Sequence, residues 1–332
     1  MKHIILAFLC AVLLCRSSAV SAEGAYAPGF ERMRAIDMDL LRKCAPRPAG
    51  MGGAFTAVEG DPIGIFWNPS AALRANRLMV SGNHSLRHFP GERKNLDQFD
   101  SDTTAVIVPV RGEGVVGLGF TVPGEWGVDH MDTNGVVPGA EKHRGRERVA
   151  AYGEASGGRR ASAGTVHSNW FRYSGDEGAE GGGASRRFDT GGGFSFFYSG
   201  AGGAAWGLSV KGISSLFKSG AAGERRGTAV VRVGVAYRAG NAADTVAAAD
   251  VEFIVSRGVS VRGFAGVERD FDDRVFVRAG TMNGAPTYGV GAESGSLRLD
   301  YAVVKDLLPR VTGKPVTRSR DGHFLSYTLE FD

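Results

Sequence analysis

From residue 77 onward, the chain alternates apolar residues with polar or small ones in short segments, and this pattern constrains its fold most. In residues 297–303, for example, leucine, tyrosine and valine alternate with Arg298, Asp300 and Ala302. A period of two residues places neighbouring side chains on opposite faces of a β-strand. One face is aliphatic and aromatic, and the other holds Gly, Ser, Thr, Arg, Asp and Glu. The pattern therefore predicts strands with one apolar face.

About fourteen such segments occur, an even number, as single-chain bacterial outer-membrane barrels require. Most reach the ~9–11 residues that a tilted strand needs to cross a bilayer. Soluble sandwiches alternate as well, so the number of strands and the export signal described next decide the interpretation. We predict an all-β fold, a transmembrane antiparallel β-barrel of about fourteen strands. The predicted strands are residues 77–88, 101–110, 114–123, 146–156, 161–173, 186–199, 203–216, 227–239, 244–256, 258–269, 273–282, 285–293, 295–304 and 322–331.

An export signal is predicted over residues 1–22. Lys2 supplies a positive start, Ile4 to Leu14 form an apolar run, and Val20-Ser21-Ala22 offers a cleavage site with small residues. The apolar run is too short for a lasting transmembrane helix. We expect cleavage before Glu23 and localisation in the cell outer membrane of a Gram-negative-type bacterium.

Composition and charge exclude several other classes of protein. Glycine accounts for 50 of the 332 residues, about twice the usual ~7%, yet aromatic residues are too frequent for a disordered chain. The formal net charge is +4, and the basic residues are dispersed, so we expect no nucleic-acid partner, which would require a clustered basic face. Cys44 is the one cysteine beyond the export signal, which excludes an internal disulfide and paired-cysteine metal sites.

Residues 23–76 differ from the rest because they are apolar and Gly-rich but lack alternation of spanning length. Met33 to Leu41 is a short helix candidate. Four large apolar residues need a protected place to be buried: Phe55, Ile65, Phe66 and Trp67. Barrels wider than about eight strands have a lumen that can hold a plug. We predict three parts: a signal peptide (1–22), an N-terminal plug or hatch (23–76) and an outer-membrane β-barrel (77–332).

Both ends of the chain resemble a known family. Residues 47–73, RPAGMGGAFTAVEGDPIGIFWNPSAAL, resemble the N-terminal signature of the FadL-type outer-membrane transporter superfamily. They are more similar still to the branch that contains PorV-type proteins and many uncharacterised barrels. The final residues 321–332, DGHFLSYTLEFD, resemble the last strand of that branch, and residues 188–191 and 206–211 resemble its middle strands.

The resemblance implies a function without catalysis. The leading expectation is that the protein binds a hydrophobic small molecule or transports it across the outer membrane, after capture in an apolar pocket and movement of the plug. The alternative is a non-transporting PorV-type protein that acts in secretion or surface attachment and has exported protein cargo as its partner. Lipid of the outer membrane and the barrel assembly machinery are further expected partners, and no cofactor is expected.

Candidate site residues follow from the same motifs. The plug or gate candidates are Gly50, Gly52, Gly53, Asp61, Asn68 and Pro69. The three glycines would let the plug backbone approach the barrel wall closely. Asn68-Pro69 could gate a path, or could simply form a turn, because both residues favour turn backbone. The outward row of the final strand, namely Tyr327, Leu329 and Phe331, resembles the signal that the assembly machinery recognises.

Three short motifs lack the context that their chemistry needs. Residues 112–117 match a dinucleotide fingerprint, but a strand follows them where that motif requires a helix. Ser215 and Lys218 have the spacing of a penicillin-binding motif without its companions. His84 and His88 would lie ~13 Å apart on a strand, which is too far to share a metal ion. We expect no catalytic, cofactor or metal site.

Overall fold

The computed structural model describes residues 45–75, 77–85, 102–110, 114–129, 140–156, 158–174, 185–219, 222–239, 245–255, 258–305 and 321–331. The predicted export signal and the helix candidate at residues 33–41 lie outside these ranges, as does His88. No helix in the described ranges is both long enough and apolar enough to cross a membrane.

Fourteen strands form one closed antiparallel barrel. Each strand pairs with the next along the chain, and β1 pairs with β14 to close the sheet. Closure leaves no unpaired edge strand. The predicted antiparallel β-barrel of about fourteen strands is therefore confirmed. The strands are β1 (Leu78–Ser85), β2 (Thr103–Val110), β3 (Gly114–Asp129), β4 (Ala140–Ser156), β5 (Arg160–Ser174), β6 (Ser185–Ser199), β7 (Ala204–Ser219), β8 (Ala222–Ala239), β9 (Thr245–Val255), β10 (Val259–Phe271), β11 (Val275–Met282), β12 (Ala285–Ser294), β13 (Leu297–Val304) and β14 (Gly322–Phe331).

The predicted strands 114–123 and 146–156 were too short, because the gap between them was taken as a loop. Residues 124–145 are polar and Gly-rich, which suggested a connection, but β3 continues to Asp129 and β4 begins at Ala140. The two strands keep pairing beyond a register shift between Thr121 and Gly124. Backbone pairing between the two strands extends the ladder there.

The two faces of the wall differ as the alternation predicts. On β9, Val251, Phe253 and Val255 point outward and are exposed, whereas Asp250 and Glu252 point inward and are buried. The other described strands also expose many large apolar or aromatic side chains, together with a few charged ones such as Arg160 and Arg269. The sheet thus has a largely apolar outer surface, and its inner surface combines charged, hydroxylated, small and apolar residues.

The two ends of the barrel also differ. Leu78 pairs with Phe331 at one end, here named the terminal end, and the opposite end is the loop end. Connections at the terminal end are short, such as the turns at residues 272–274 and 295–296. At the loop end, β1 ends at Ser85 and β13 at Val304, and the next strands begin at Thr103 and Gly322.

Candidate functional site

Residues 45–75, named the inner segment, lie inside the barrel against inward-facing residues of the wall. It contains helix α1 (Pro46–Gly50), a 3-10 helix (Pro62–Phe66) and helix α2 (Pro69–Ala72). The aromatic and aliphatic residues that needed protection, Phe55, Ile65, Phe66 and Trp67, are each at most 2% exposed. Helix α1 packs on β11–β13, the 3-10 helix on β1–β4, and α2 on β4–β6. The inner segment therefore touches most of the wall.

Local chemistry explains why these short helices form. Asp61 caps the 3-10 helix by accepting a hydrogen bond from the Ile63 amide at 3.0 Å. Asn68 caps α2 in the same way, through the Ser70 amide at 3.1 Å. Pro69 occupies the first turn of α2, where its missing N–H costs nothing. The turn interpretation of Asn68-Pro69 thus describes its local geometry, and its role as a gate stays a prediction.

The predicted glycines lie where the inner segment approaches the wall. Gly52 has φ +64°, and a Cβ atom there would lie 2.3 Å from the carbonyl oxygen of Ala265. Gly53 has φ +78° and faces the ring of Phe264, and Gly50 lies against Gly289. A side chain at Gly52 would therefore meet both an unfavourable backbone conformation and a steric clash.

Inward glycines of the wall complete this fit, and sequence reasoning missed them. A Cβ atom on Gly266 would lie 2.2 Å from the Met51 carbonyl oxygen, and one on Gly207 would lie 2.1 Å from that of Thr56. Such distances are too short for any side chain. Many glycines of this chain therefore form a recessed inner surface for the segment backbone. Glycine at inward positions of alternating strands was the available signal.

A buried cluster of six charges holds the start of the segment. Its members, named the first charge cluster, are Arg47, Asp61, Glu268, Arg278, Arg298 and Asp300. Arg47 donates from Nε and Nη2 to the two carboxylate oxygens of Glu268, at 3.0 and 2.9 Å. Arg278 donates from Nε to the same carboxylate at 2.6 Å. The three arginines balance the three acids, and the paired geometry of Arg47 is the strong, bidentate form.

Two members of the first charge cluster, Arg47 and Asp61, lie on the inner segment, and burial acts on their pKa values in opposite directions. Burial by itself lowers the pKa of Arg47, but the carboxylates of Glu268 and Asp61 outweigh it, so the pKa stands above its ordinary value. Burial raises the pKa of Asp61, against the opposing effect of the Arg47 charge. Arg47 therefore stays charged, and its guanidinium links the segment to β10.

A second charge cluster, Arg232, Asp250, Glu252 and Arg262, holds residues 53–56. One oxygen of Asp250 accepts from the amides of Phe55 and Thr56 at 2.9 and 3.0 Å, and from the Thr56 hydroxyl at 2.7 Å. Arg232 donates to that same oxygen at 3.1 Å and to the carbonyl of Gly53 at 2.5 Å. Asp250 is thus the principal acceptor for this part of the segment.

The end of the segment is held differently, by neutral groups. Asn68 donates to the carbonyls of Thr56 and Phe196 at 2.7 and 3.1 Å. The hydroxyls of Ser70 and Ser195 lie 2.7 Å apart. Two charged side chains also contribute: Lys211 donates to the Phe66 carbonyl at 2.6 Å, and Arg74 forms an ion pair with Glu59 within the segment at 3.2 Å.

The final strand places its predicted row outward. Tyr327, Leu329 and Phe331 share the outer face of β14. The ring of Tyr327 covers Gly82 of β1, where a Cβ atom would lie 2.5 Å from Tyr327 Cζ. The aromatic ring therefore packs across the seam that closes the barrel, and recognition by the assembly machinery stays a prediction.

The discarded motifs lie in strands or on the surface. Residues 114–117 belong to β3, and Ser215 and Lys218 to β7. His84 forms a hydrogen bond with Asp102. Among the described residues there is no group of three or more potential metal ligands.

Comparison with solved structures supports the same fold. The Pseudomonas putida toluene transporter TodX matches with a TM-score of 0.58 and 11% identity, over 86% of this chain and 98% of that one. The Ralstonia pickettii toluene transporter TbuX matches with 0.59 and 12%, over 87% and 98%. A Pseudomonas aeruginosa FadL homologue matches with 0.56 and 11%, over 87% and 98%. No family model and no curated protein matches the sequence.

These likenesses define the class of fold. The chain shares the fold of these structural neighbours, a closed fourteen-stranded antiparallel β-barrel. At 11–12% identity, they bear on the fold and leave the ligand open. The finer resemblance to the PorV-type branch stays a prediction.

Proposed function

We propose that the protein spans an outer membrane and carries hydrophobic small molecules across it. The apolar outer surface suits lipid. Short turns at the terminal end and longer connections at the loop end match periplasmic and extracellular ends of outer-membrane barrels. The neighbours of like fold are described as toluene transporters, which supports a small apolar substrate.

In this proposal the inner segment is the plug. It lies between the walls and obstructs the lumen, and a substrate passes when the plug shifts. One observation carries this step: charges hold residues 47–56 while neutral contacts hold residues 68–70. Neutral hydrogen bonds contribute only about 1 kcal/mol each. The end of the plug around α2 is therefore the part that moves, and the charged part remains in place.

A reversible crosslink tests this proposal. Ser70→Cys with Ser195→Cys, in a Cys44→Ser background, places two thiols where the hydroxyls lie 2.7 Å apart. We expect oxidation to slow toluene uptake about tenfold, because the disulfide holds the plug in place and toluene cannot pass a closed gate. Reduction of the disulfide should restore uptake. Uptake of labelled toluene by cells expressing the variant is the measurement.

The matched control is Ser81→Cys with Thr328→Cys, whose hydroxyls lie 3.1 Å apart on β1 and β14. This pair links two wall strands to each other and leaves the plug unlinked to the wall, so its oxidation should leave uptake unchanged. Equal uptake by the oxidised and reduced plug pair would refute plug movement. Failure of the parent protein to raise toluene uptake would instead refute transport and favour the non-transporting alternative with secreted cargo.

A further inference from the structure

The outer surface of β4–β7 carries a groove of about 600 Å³. Tyr152 on β4 and Phe194 on β6 form its sides and are 48% and 57% exposed. Gly164 on β5 lies between them, since it pairs with Tyr152 on one side and with Phe194 on the other. No atom lies within 4 Å of a Cβ atom added to Gly164. One missing side chain between two aromatic rings therefore creates the groove.

The groove faces away from the inner segment. Ser195, next to Phe194 in the chain, points inward and contacts Ser70. Trp206 extends the apolar side of the groove, with its ring centroid 5.1 Å from that of Phe196 and 5.9 Å from that of Tyr198. Aromatic rings with polar edges favour the boundary between lipid tails and headgroups. The groove therefore lies on the lipid side of the wall near the terminal end.

Two arginines stand at the terminal-end mouth of the groove. Arg160 starts β5, and its guanidinium lies 6.0 Å above the ring of Tyr198. Arg159 precedes it in an exposed turn. Neither forms an ion pair with another described residue. Arg160 and Gly164 face outward four residues apart, a separation of about 13 Å along the strand. The apolar groove thus has a positively charged mouth at the terminal end.

We infer that this groove is a binding site for one glycerophospholipid of the leaflet at the terminal end. One acyl chain lies over Gly164 between Tyr152 and Phe194, and the phosphate meets Arg159 and Arg160. The two arginines outweigh Glu154, the one acid among the residues that line the groove, so the site prefers lipids with a net negative headgroup. The inference rests on the proposed membrane orientation, but the site is separate from the transport path because it lies outside the barrel.

Trp206 provides a direct reporter of occupancy. The chain has four tryptophans, and Trp126→Phe with Trp170→Phe leaves Trp206 and the buried Trp67. We would reconstitute this protein in vesicles and measure quenching by brominated phosphatidylglycerol or brominated phosphatidylcholine. Each arginine near an anionic surface contributes on the order of a fivefold preference. We expect phosphatidylglycerol to bind several-fold more strongly than phosphatidylcholine.

Three variants separate a site from general surface charge. Arg159→Gln with Arg160→Gln should bring the preference to about onefold, because both phosphate contacts are lost. Gly164→Val should weaken quenching by both lipids, since its side chain fills the groove. Arg274→Gln removes an exposed charge from the β10–β11 turn at the same end and should leave the preference unchanged.

The outcomes distinguish this inference from the proposed function. A preference that persists in the double arginine variant, or that Arg274→Gln lowers equally, would overturn the lipid site. Unaltered quenching in Gly164→Val would overturn the groove as the place of the acyl chain. Toluene uptake by all three variants should equal that of the parent, whereas no quenching by either lipid would refute membrane insertion and both proposals with it.

Discussion

The inner segment meets two unlike walls. On β8–β13, inward positions carry arginines and acids, which hold the segment through the two charge clusters. On β1–β7, the described inward residues are mostly small, apolar or hydroxylated, apart from His167 and Lys211. The first wall and the second contact the same short segment. The charged wall, β8–β13, therefore sets the position of the segment, and the neutral wall, β1–β7, is the one that can release it.

The free-energy cost of removing a contact differs between the two walls. Removing one partner of a buried ion pair leaves a buried charge without compensation, at a cost of about 3–5 kcal/mol. Removing one partner of a neutral hydrogen bond costs about 1–3 kcal/mol. The charged wall therefore tolerates little change, and the neutral wall is where movement is least expensive.

The largest expected effect comes from Asp250→Asn. Its carboxylate oxygen accepts four hydrogen bonds, three from residues 55–56 and one from Arg232. Loss of the negative charge should lower the free energy of unfolding by about 3 kcal/mol, because Arg232 stays buried. The free energy of unfolding is measured by urea titration in lipid vesicles, with the shift in gel migration as the readout.

Asp272→Asn is the matched control for that change. Asp272 lies in an exposed turn with φ 57°, a conformation that asparagine also adopts readily. We expect the control to leave the unfolding midpoint unchanged. Similar losses in the two variants would remove the distinction between the charged wall and the surface.

An intermediate effect is expected from Gly266→Ala. The added Cβ atom would lie 2.2 Å from the Met51 carbonyl oxygen, so the segment must move away from the charged wall. Overpacking of this kind costs about 1–3 kcal/mol. Faster cleavage of residues 45–75 by added protease should report the displacement. Gly227→Ala, where a Cβ atom has open space, is the control, and equal cleavage rates would contradict the close fit.

The smallest effect on stability is expected from Ser70→Ala on the neutral wall. It removes the contact with Ser195 and should cost about 1 kcal/mol. Toluene uptake should nevertheless rise more than in Asp250→Asn, because the moving end of the plug is loosened. Ser81→Ala, which removes a hydroxyl bonded to Thr328 at the seam, controls for a lost wall hydroxyl. A larger rise in uptake for Asp250→Asn would reverse the roles of the two walls.

Alternation predicted the strands well because it is a local property. The segment of β13, with Leu297, Leu299 and Tyr301 on one face, pairs in the register its pattern requires. A slip of one residue would turn every apolar side chain inward. The loop-end parts of β3 and β4 were not predicted, because hydrogen bonds between the strands, and not a side-chain pattern, extend them past Thr121.

The site was predictable only in part. Apolar residues such as Phe55 and Trp67 in a segment without spanning strands signalled that residues 45–75 need protection. The partners did not follow, since Arg47 meets Glu268 across 221 residues, and no local rule links such positions. Charged residues at inward positions, such as Arg278 between Val277 and Ala279, signalled buried charges. The sequence alone did not identify the residues that pair with them.

The sequence by itself determined the strand number, the two faces of the wall and the need to bury an N-terminal segment, because periodicity and hydrophobicity act between near neighbours. Only the tertiary structure decided which charges pair, which glycines receive the segment backbone, and which wall holds it by neutral contacts. Those outcomes depend on where closure of the barrel brings distant strands, and closure is set by the register of all fourteen strands together.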